Sequence, residues 1–126
     1  MIRKEEAEPA ETIGYTMISQ EEAYERMKMD DGHILLDVRR EEEYDASHIP
    51  GAILLPNENI GAAMPEKLPD PDQIILVYCR SGRRSKEAAQ KLADLGYTNV
   101  YEFGGIMTWP YETVTKEEET SGGEKP

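Results

Sequence analysis

Apolar residues fall into short segments that alternate between two patterns along the chain. The segments "HILLDV", "GAILLP" and "QIILVYC" are nearly continuous apolar runs, which are typical of strands buried on both faces of a parallel sheet. "TNVYEF" predicts a last strand. Before it, "SKEAAQKLADLG" places Ala88, Ala89, Leu92 and Ala93 at helical spacing and ends at Gly96, a residue that tolerates the positive φ of a helix C-terminus.

A further helix is predicted from about Gln20 to Met29. Ser19 and Glu22 have the capping-box spacing, in which each side chain binds the backbone N–H of the other residue. Strands that alternate with helices indicate an α/β domain with a mainly parallel sheet.

The two ends of the chain are poor in apolar residues. A segment that buries no apolar surface cannot offset the entropy lost on ordering. We therefore predict a flexible N-terminal tail at 1–14, one domain at 15–114 and a disordered C-terminal tail at 115–126. A total of 126 residues suits a single domain, which we expect to be a monomer.

Charge and hydropathy exclude several classes of function. A formal net charge of −12 disfavours nucleic acid as a partner, because phosphates are repelled except at a local basic patch. No apolar run approaches the roughly 20 residues that span a bilayer, and "MIRKEEAEPAET" lacks the apolar section of a secretory signal. We expect a cytoplasmic protein, or an extracytoplasmic one if a signal or lipid anchor has been removed.

Positive charge gathers at one place, around the only cysteine. The segment "YCRSGRRS", residues 78–85, holds Cys79 and three arginines. The predicted sheet puts Cys79 at the carboxyl end of a strand, followed by a turn of about five residues and a helix, and ligands bind at this edge of open α/β sheets. Backbone N–H groups of the turn and the helix N-terminus favour an anion. These surroundings favour a reactive thiolate over an inert core cysteine.

Other polar residues are interpreted as structural. We expect His48, in the turn "SHIPG", to have a structural role. We expect the same of Asp37 and Arg39, which lie at a strand end. The segment "REEEYDA" is expected to form a solvated helix face. One cysteine and two histidines have no recognised zinc spacing, so we predict no metal and no cofactor.

Four motifs occur in an order that resembles a single-domain rhodanese, a member of the sulfurtransferase family, over about residues 15–112. They lie within "LLDVRREEEYDASHIPGAILLP" and "ILVYCRSGRRSKEAAQKLADLGYTNVYEFGGIMTW" and comprise Asp37–Arg39, Ser47–Ala52, Cys79–Ser85 and Gly104–Gly105 with Trp109. The resemblance implies a rhodanese-like three-layer α/β fold, with a central, mainly parallel sheet of about five strands flanked by helices.

The resemblance also implies a persulfide mechanism. The Cys79 thiolate would attack the outer sulfur of an anionic donor such as thiosulfate, sulfite would leave, and a thiol, a protein acceptor or cyanide would then take the sulfur from Cys79. No general base is needed if the thiolate is already formed. Cys79 would be catalytic, and the substrate-binding residues would be Arg80, Ser81, Gly82, Arg83, Arg84 and Ser85.

Two alternatives remain. Related phosphatases and arsenate reductases hold an oxyanion in a loop with five residues between cysteine and arginine, whereas only four residues separate Cys79 from Arg84. The shorter loop favours a persulfide over a bound phosphate. A rhodanese-fold module that binds a partner without catalysis is the second alternative, and the intact Cys79 argues against it.

Overall fold

The fold is built on a five-stranded sheet in a computed structural model that describes residues 14–119. The strands are β1 (Thr16–Met17), β2 (Ile34–Asp37), β3 (Ile53–Leu54), β4 (Ile74–Cys79) and β5 (Asn99–Gly105). They lie in the order β1-β5-β4-β2-β3, and each neighbouring pair is parallel. The predicted α/β fold with about five parallel strands is therefore confirmed.

The central strand β4 is apolar along its whole length because both of its faces are covered. Ile75 and Val77 belong to one buried cluster, and Leu76 and Tyr78 belong to the other. Alternate side chains of a strand point to opposite faces, so a continuous apolar run fits a strand inside a three-layer fold.

Helices cover the two faces of the sheet. Helix α3 (Arg83–Asp94) places Ala88, Ala89 and Leu92 in the first cluster, while α1 (Gln20–Met27) contributes Ala23 to the second. The third helix, α2 (Glu41–Ala46), follows β2. None of the helices between residues 14 and 119 has the length and hydropathy needed to cross a membrane.

One half of the predicted capping box and the predicted glycine are present at the helix ends, while Glu22 Oε2 accepts from Arg26 Nη2 at 2.9 Å. Ser19 Oγ accepts a hydrogen bond from the Glu22 N–H at 3.0 Å, and Gly96 has a φ of 107°. Helix α1 ends at Met27, two residues before the predicted Met29.

The segment that follows the sheet runs beside His48. The backbone groups of His48 and Val114 form two hydrogen bonds of 2.8 Å, and residues 116–119 form a helical turn. Thr115 and Glu118 cap this turn through two reciprocal bonds of 2.9 Å. Residues 115–119 belong to the predicted disordered C-terminal tail; the rest of that tail, 120–126, and residues 1–13 of the predicted N-terminal tail lie outside the described residues.

Candidate active site

Cys79 is the last residue of β4 and lies at the carboxyl edge of the sheet. Its surface is only 1% exposed. The chain then turns through Arg80, Ser81 and Gly82. Gly82 has a φ of 116°, which glycine adopts readily because it has no Cβ. Helix α3 begins at Arg83, directly after Gly82. The turn is therefore Arg80–Gly82, shorter than the predicted length of about five residues.

The sulfur of Cys79 faces the start of α3. The Gly82 N–H donates a hydrogen bond to Cys79 Sγ at 2.9 Å, and Ser85 Oγ lies 3.4 Å from the same sulfur. The N-terminus of a helix carries a partial positive charge. The arrangement therefore supplies one direct donor and a favourable dipole for a sulfur anion.

The end of β5 packs directly against the turn after Cys79. Gly105 pairs with Cys79 in the sheet, and a Cβ on Gly105 would lie 1.9 Å from the carbonyl oxygen of Arg80. That carbonyl also accepts a hydrogen bond from the Met107 N–H at 3.1 Å. The Gly104-Gly105 motif thus allows a backbone contact that fixes the position of the cysteine loop.

A polar cavity of about 460 Å³ lies beside this loop. Its lining residues are Arg40, Glu43, Arg80, Ser81, Arg83 and Arg84. Four of these six residues were predicted from the cysteine loop, and the buried Cys79 is not part of the lining. Arg40 and Glu43 were not predicted as site residues, although they follow β2, which is the neighbour of β4 and ends at the same edge of the sheet.

Glu43 holds Arg84 in the wall of this cavity. Arg84 Nη1 donates to Glu43 Oε1 at 2.8 Å, and Nη2 donates to Oε2 at 3.0 Å. These hydrogen bonds lower the pKa of Glu43 to about 2 and raise the pKa of Arg84. The predicted solvated face of "REEEYDA" therefore includes one carboxylate that contacts the candidate site.

Two other arginines of the loop face solvent at the cavity. The side chain of Arg83 is 74% exposed, and its Nη1 donates to Glu87 Oε2 at 3.1 Å. Arg80 is exposed as well. Their guanidinium groups give the cavity a positive wall that can attract an anion.

Ser85 and Glu102 form a buried contact below the loop. Glu102 lies on β5 and is 2% exposed, and its Oε2 accepts hydrogen bonds from Ser85 Oγ at 2.5 Å and from the Gly104 N–H at 2.9 Å. Sequence reasoning missed Glu102. The available signal was an acidic residue inside the apolar segment "TNVYEF", two positions before the Gly104-Gly105 motif.

Asp37 and its neighbours hold the backbone at the same sheet edge. Asp37 is fully buried; its Oδ1 accepts from Arg39 Nε at 3.0 Å, and its Oδ2 accepts from Tyr78 OH at 2.8 Å. Tyr78 OH in turn accepts from the Ile49 N–H at 3.0 Å. Burial and the nearby Asp37 carboxylate raise the pKa of Tyr78. These contacts support the structural interpretation of Asp37 and Arg39.

Both ring nitrogens of His48 contact other parts of the fold. His48 is fully buried, with Nδ1 2.8 Å from the Tyr44 carbonyl and Nε2 2.8 Å from Glu119 Oε1. Within residues 14–119 no three histidine, cysteine, aspartate or glutamate side chains are grouped so that they could hold a metal ion.

Comparisons with known proteins agree with this geometry. The family model "Rhodanese-like domain" matches residues 19–111. Thiosulfate sulfurtransferase PspE from Escherichia coli (strain K12) is 37% identical over 71 residues, which is 56% of this chain and 68% of that protein. The solved structure of a rhodanese with anions from E. coli has a TM-score of 0.60 at 32% identity. This match covers 66% of the present chain and 98% of the E. coli chain. The human single-domain sulfurtransferase TSTD1 has a TM-score of 0.64 at 25% identity. This match covers 74% of the present chain and 92% of the TSTD1 chain.

The family match spans the strand, the loop and the helix that surround Cys79. The chain belongs to the rhodanese-like family of transferases.

Proposed function

We propose that this chain moves a sulfane sulfur from an anionic donor to a thiol acceptor through a persulfide on Cys79. The observation that carries the proposal is the Gly82 N–H, which lies 2.9 Å from Cys79 Sγ at the start of α3. A donor aimed at the sulfur stabilises a thiolate or persulfide more than a neutral thiol, because hydrogen bonds to charged acceptors are the stronger ones.

The first step is a displacement at sulfur. The Cys79 thiolate attacks the outer sulfur of thiosulfate, an S–S bond forms to Cys79, and the S–S bond of the donor breaks with its electron pair leaving on sulfite. The arginines at the cavity, Arg80 and Arg83 above all, bind the sulfonate end of the donor. The name of the E. coli relative, thiosulfate sulfurtransferase, supports thiosulfate as the donor.

The second step returns the cysteine to its starting state. A thiolate acceptor attacks the outer sulfur of the Cys79 persulfide, forms its own persulfide, and releases the Cys79 thiolate. Cyanide performs the same step and leaves as thiocyanate. Two successive displacements through a covalent intermediate predict ping-pong kinetics.

The intact mass of the purified protein tests this proposal. We expect incubation with thiosulfate to add the mass of one sulfur atom and cyanide to remove it. The Cys79→Ser variant is the matched control, because it replaces one sulfur by oxygen at a buried site and leaves the rest of the loop unchanged.

Absence of the added sulfur in the wild-type protein, or its presence in the variant, would contradict a Cys79 persulfide formed from thiosulfate. Phosphatase and arsenate assays, together with a protein persulfide as donor, would then identify which alternative holds.

A further inference from the structure

Glu102 is a buried carboxylate two hydrogen bonds away from the sulfur of Cys79. Only 2% of Glu102 is exposed, and a buried charge is costly unless it is paired or hydrogen-bonded. Its Oε2 accepts from Ser85 Oγ at 2.5 Å and from the Gly104 N–H at 2.9 Å, while its Oε1 lies 3.6 Å from Lys86 Nζ. Ser85 Oγ also lies 3.4 Å from Cys79 Sγ, so one hydroxyl touches both acidic groups.

The hydroxyl of Ser85 has a single proton to donate. Its neighbours include two carbonyl oxygens, of Gly82 at 3.0 Å and of Gly104 at 3.2 Å, but the Glu102 oxygen is the nearest acceptor and the only charged one of the three. Charge-assisted hydrogen bonds are shorter and stronger than neutral ones. When Cys79 is a thiol, the chain of donors therefore runs from Sγ–H to Oγ and from Oγ–H to Glu102 Oε2.

We propose that Ser85 passes the Cys79 proton to Glu102 when the thiolate forms. The Sγ–H bond breaks as a new O–H bond forms on Ser85 Oγ, and the original Oγ–H bond breaks as the proton moves to Glu102 Oε2. The products are a Cys79 thiolate that accepts from the Ser85 hydroxyl and a neutral Glu102 that donates to it. The number of protons and the net charge of the buried group both stay constant.

Constant charge is the physical advantage of this transfer. If both groups were ionised, two negative charges would lie in one buried region, which disfavours the ionisation of either group. With the proton on Glu102, a thiolate or persulfide on Cys79 is the only negative charge of the pair. Glu102 is thus a positioning residue that acts on the sulfur through Ser85.

The titratable groups near the Glu102 carboxyl come from α3 and from the end of β4. Lys86 of α3 favours the charged carboxylate, and the thiolate at the end of β4 opposes it. From α1, the neutral Gln20 side chain donates to the Gly105 carbonyl at 2.8 Å, close to the same strand end. Where two ionisable groups interact strongly, their protons belong to the pair and not to either group alone.

Alkylation of Cys79 by iodoacetamide tests where the proton is. A thiolate is alkylated without release of a proton, whereas a thiol releases one. The thiolate fraction is read from ultraviolet absorbance. For an isolated cysteine, this fraction and the number of protons released per alkylated sulfur therefore add up to one at any pH. When Glu102 holds the proton of a thiolate, alkylation removes the negative charge on sulfur, and Glu102 then releases its proton.

We expect the sum to exceed one in the wild-type protein near neutral pH and to return to one in Glu102→Gln. Glu66→Gln, which removes the same charge at an exposed position, is expected to match the wild type. An infrared difference spectrum of the wild-type protein, which should lose a carboxylic-acid carbonyl band on alkylation, gives a second measurement if Glu102→Gln does not fold.

A sum of one in the wild type, a sum above one that persists in Glu102→Gln, or an unchanged carbonyl band would each overturn the transfer to Glu102. The inference rests on the proposed function only in treating Cys79 as the reacting sulfur. Alkylation needs no sulfur donor, so its result stays separate from the persulfide test.

Discussion

Arg84 and Glu43 are joined by two parallel hydrogen bonds, of 2.8 Å and 3.0 Å, between the first turn of α3 and helix α2. The pair orients Arg84 and offsets its charge at the wall of the cavity. The positive charge that Arg84 contributes to the cavity is therefore partly neutralised by Glu43. The same pair makes the loop after Cys79 dependent on a carboxylate that is 41 positions away in the chain.

The stability of the fold is expected to fall in acid through Glu43. Its pKa is about 2 in the folded protein, against 4.5 for an unperturbed carboxyl, so the folded state binds fewer protons between these values. This contribution is fully present above the unfolded pKa and is lost as the pH falls from 4.5 toward 2, at a cost of about 1–3 kcal/mol after allowance for partial exposure. Urea unfolding at about pH 5 and about pH 3 measures it.

Glu43→Gln is the variant that isolates this effect. It keeps the shape of the side chain and removes the titrating group, so we expect its unfolding free energy to change less between the two pH values than that of the wild type. Equal changes in both proteins would show that Glu43 does not carry the acid sensitivity.

Arg83, one of the exposed arginines of the cavity, is expected to act on donor binding. Arg83→Ala should raise the KM for thiosulfate about two- to fivefold with little change in kcat, because a solvent-exposed charge contributes about 0.2–1 kcal/mol to binding. The difference from the wild type should shrink as salt is added, since salt screens exposed charges.

Steady-state kinetics at two ionic strengths measure this effect, and Arg26→Ala provides the control. Arg26 lies on α1 and pairs with Glu22 at 2.9 Å, so its loss removes an equal charge outside the cavity. An Arg83→Ala enzyme with the KM of the wild type would show that this side chain faces solvent without contacting the donor.

The position of the cysteine was predictable from the sequence because local patterns determine it. The apolar run before Cys79 predicted a buried strand, and the helical spacing of Ala88, Ala89 and Leu92 predicted the helix that follows. Strand β1 was not predicted, because Thr16 and Met17 are exposed and form no burial pattern.

The contacts that complete the site were not predictable in the same way. The contact between Ser85 and Glu102 depends on how β5 pairs with β4, where Cys79 lies opposite Gly105 and a register shift occurs between Val77 and Cys79. Sequence periodicity does not specify such a shift, because it encodes which face a residue occupies and not which residue it meets across the sheet.

The hydroxyl of Tyr78 is expected to stabilise the edge of the sheet that carries Cys79. Tyr78→Phe removes a donor to Asp37 Oδ2 and an acceptor of the Ile49 N–H, both buried. Asp37 Oδ2 keeps a hydrogen bond from Arg39 Nη2 at 2.7 Å, but the Ile49 N–H loses its acceptor. Leaving one buried polar group without a partner costs about 1–3 kcal/mol, so the unfolding free energy should fall by at least about 1 kcal/mol. Tyr111→Phe, at a half-buried ring that stacks on Tyr24, should change it by less than about 0.5 kcal/mol. Equal effects of the two variants in urea unfolding would contradict the role of the Tyr78 hydroxyl.

The close approach of Gly105 to the Arg80 backbone predicts that even one methyl group at this position displaces the cysteine loop. In Gly105→Ala, the new Cβ would lie 1.9 Å from Arg80 O and 2.6 Å from Ser81 N, so the loop must move away from β5. Misplacement of a reacting group by about 1 Å can lower a rate by about 100-fold, and we expect a loss of that order in kcat/KM for sulfur transfer. Overpacking should also lower the unfolding free energy by about 1–3 kcal/mol. Gly61→Ala, where the new Cβ meets no atom within 4 Å, should leave kcat/KM and the unfolding free energy near those of the wild type. Full activity in Gly105→Ala would show that the loop does not need this backbone contact.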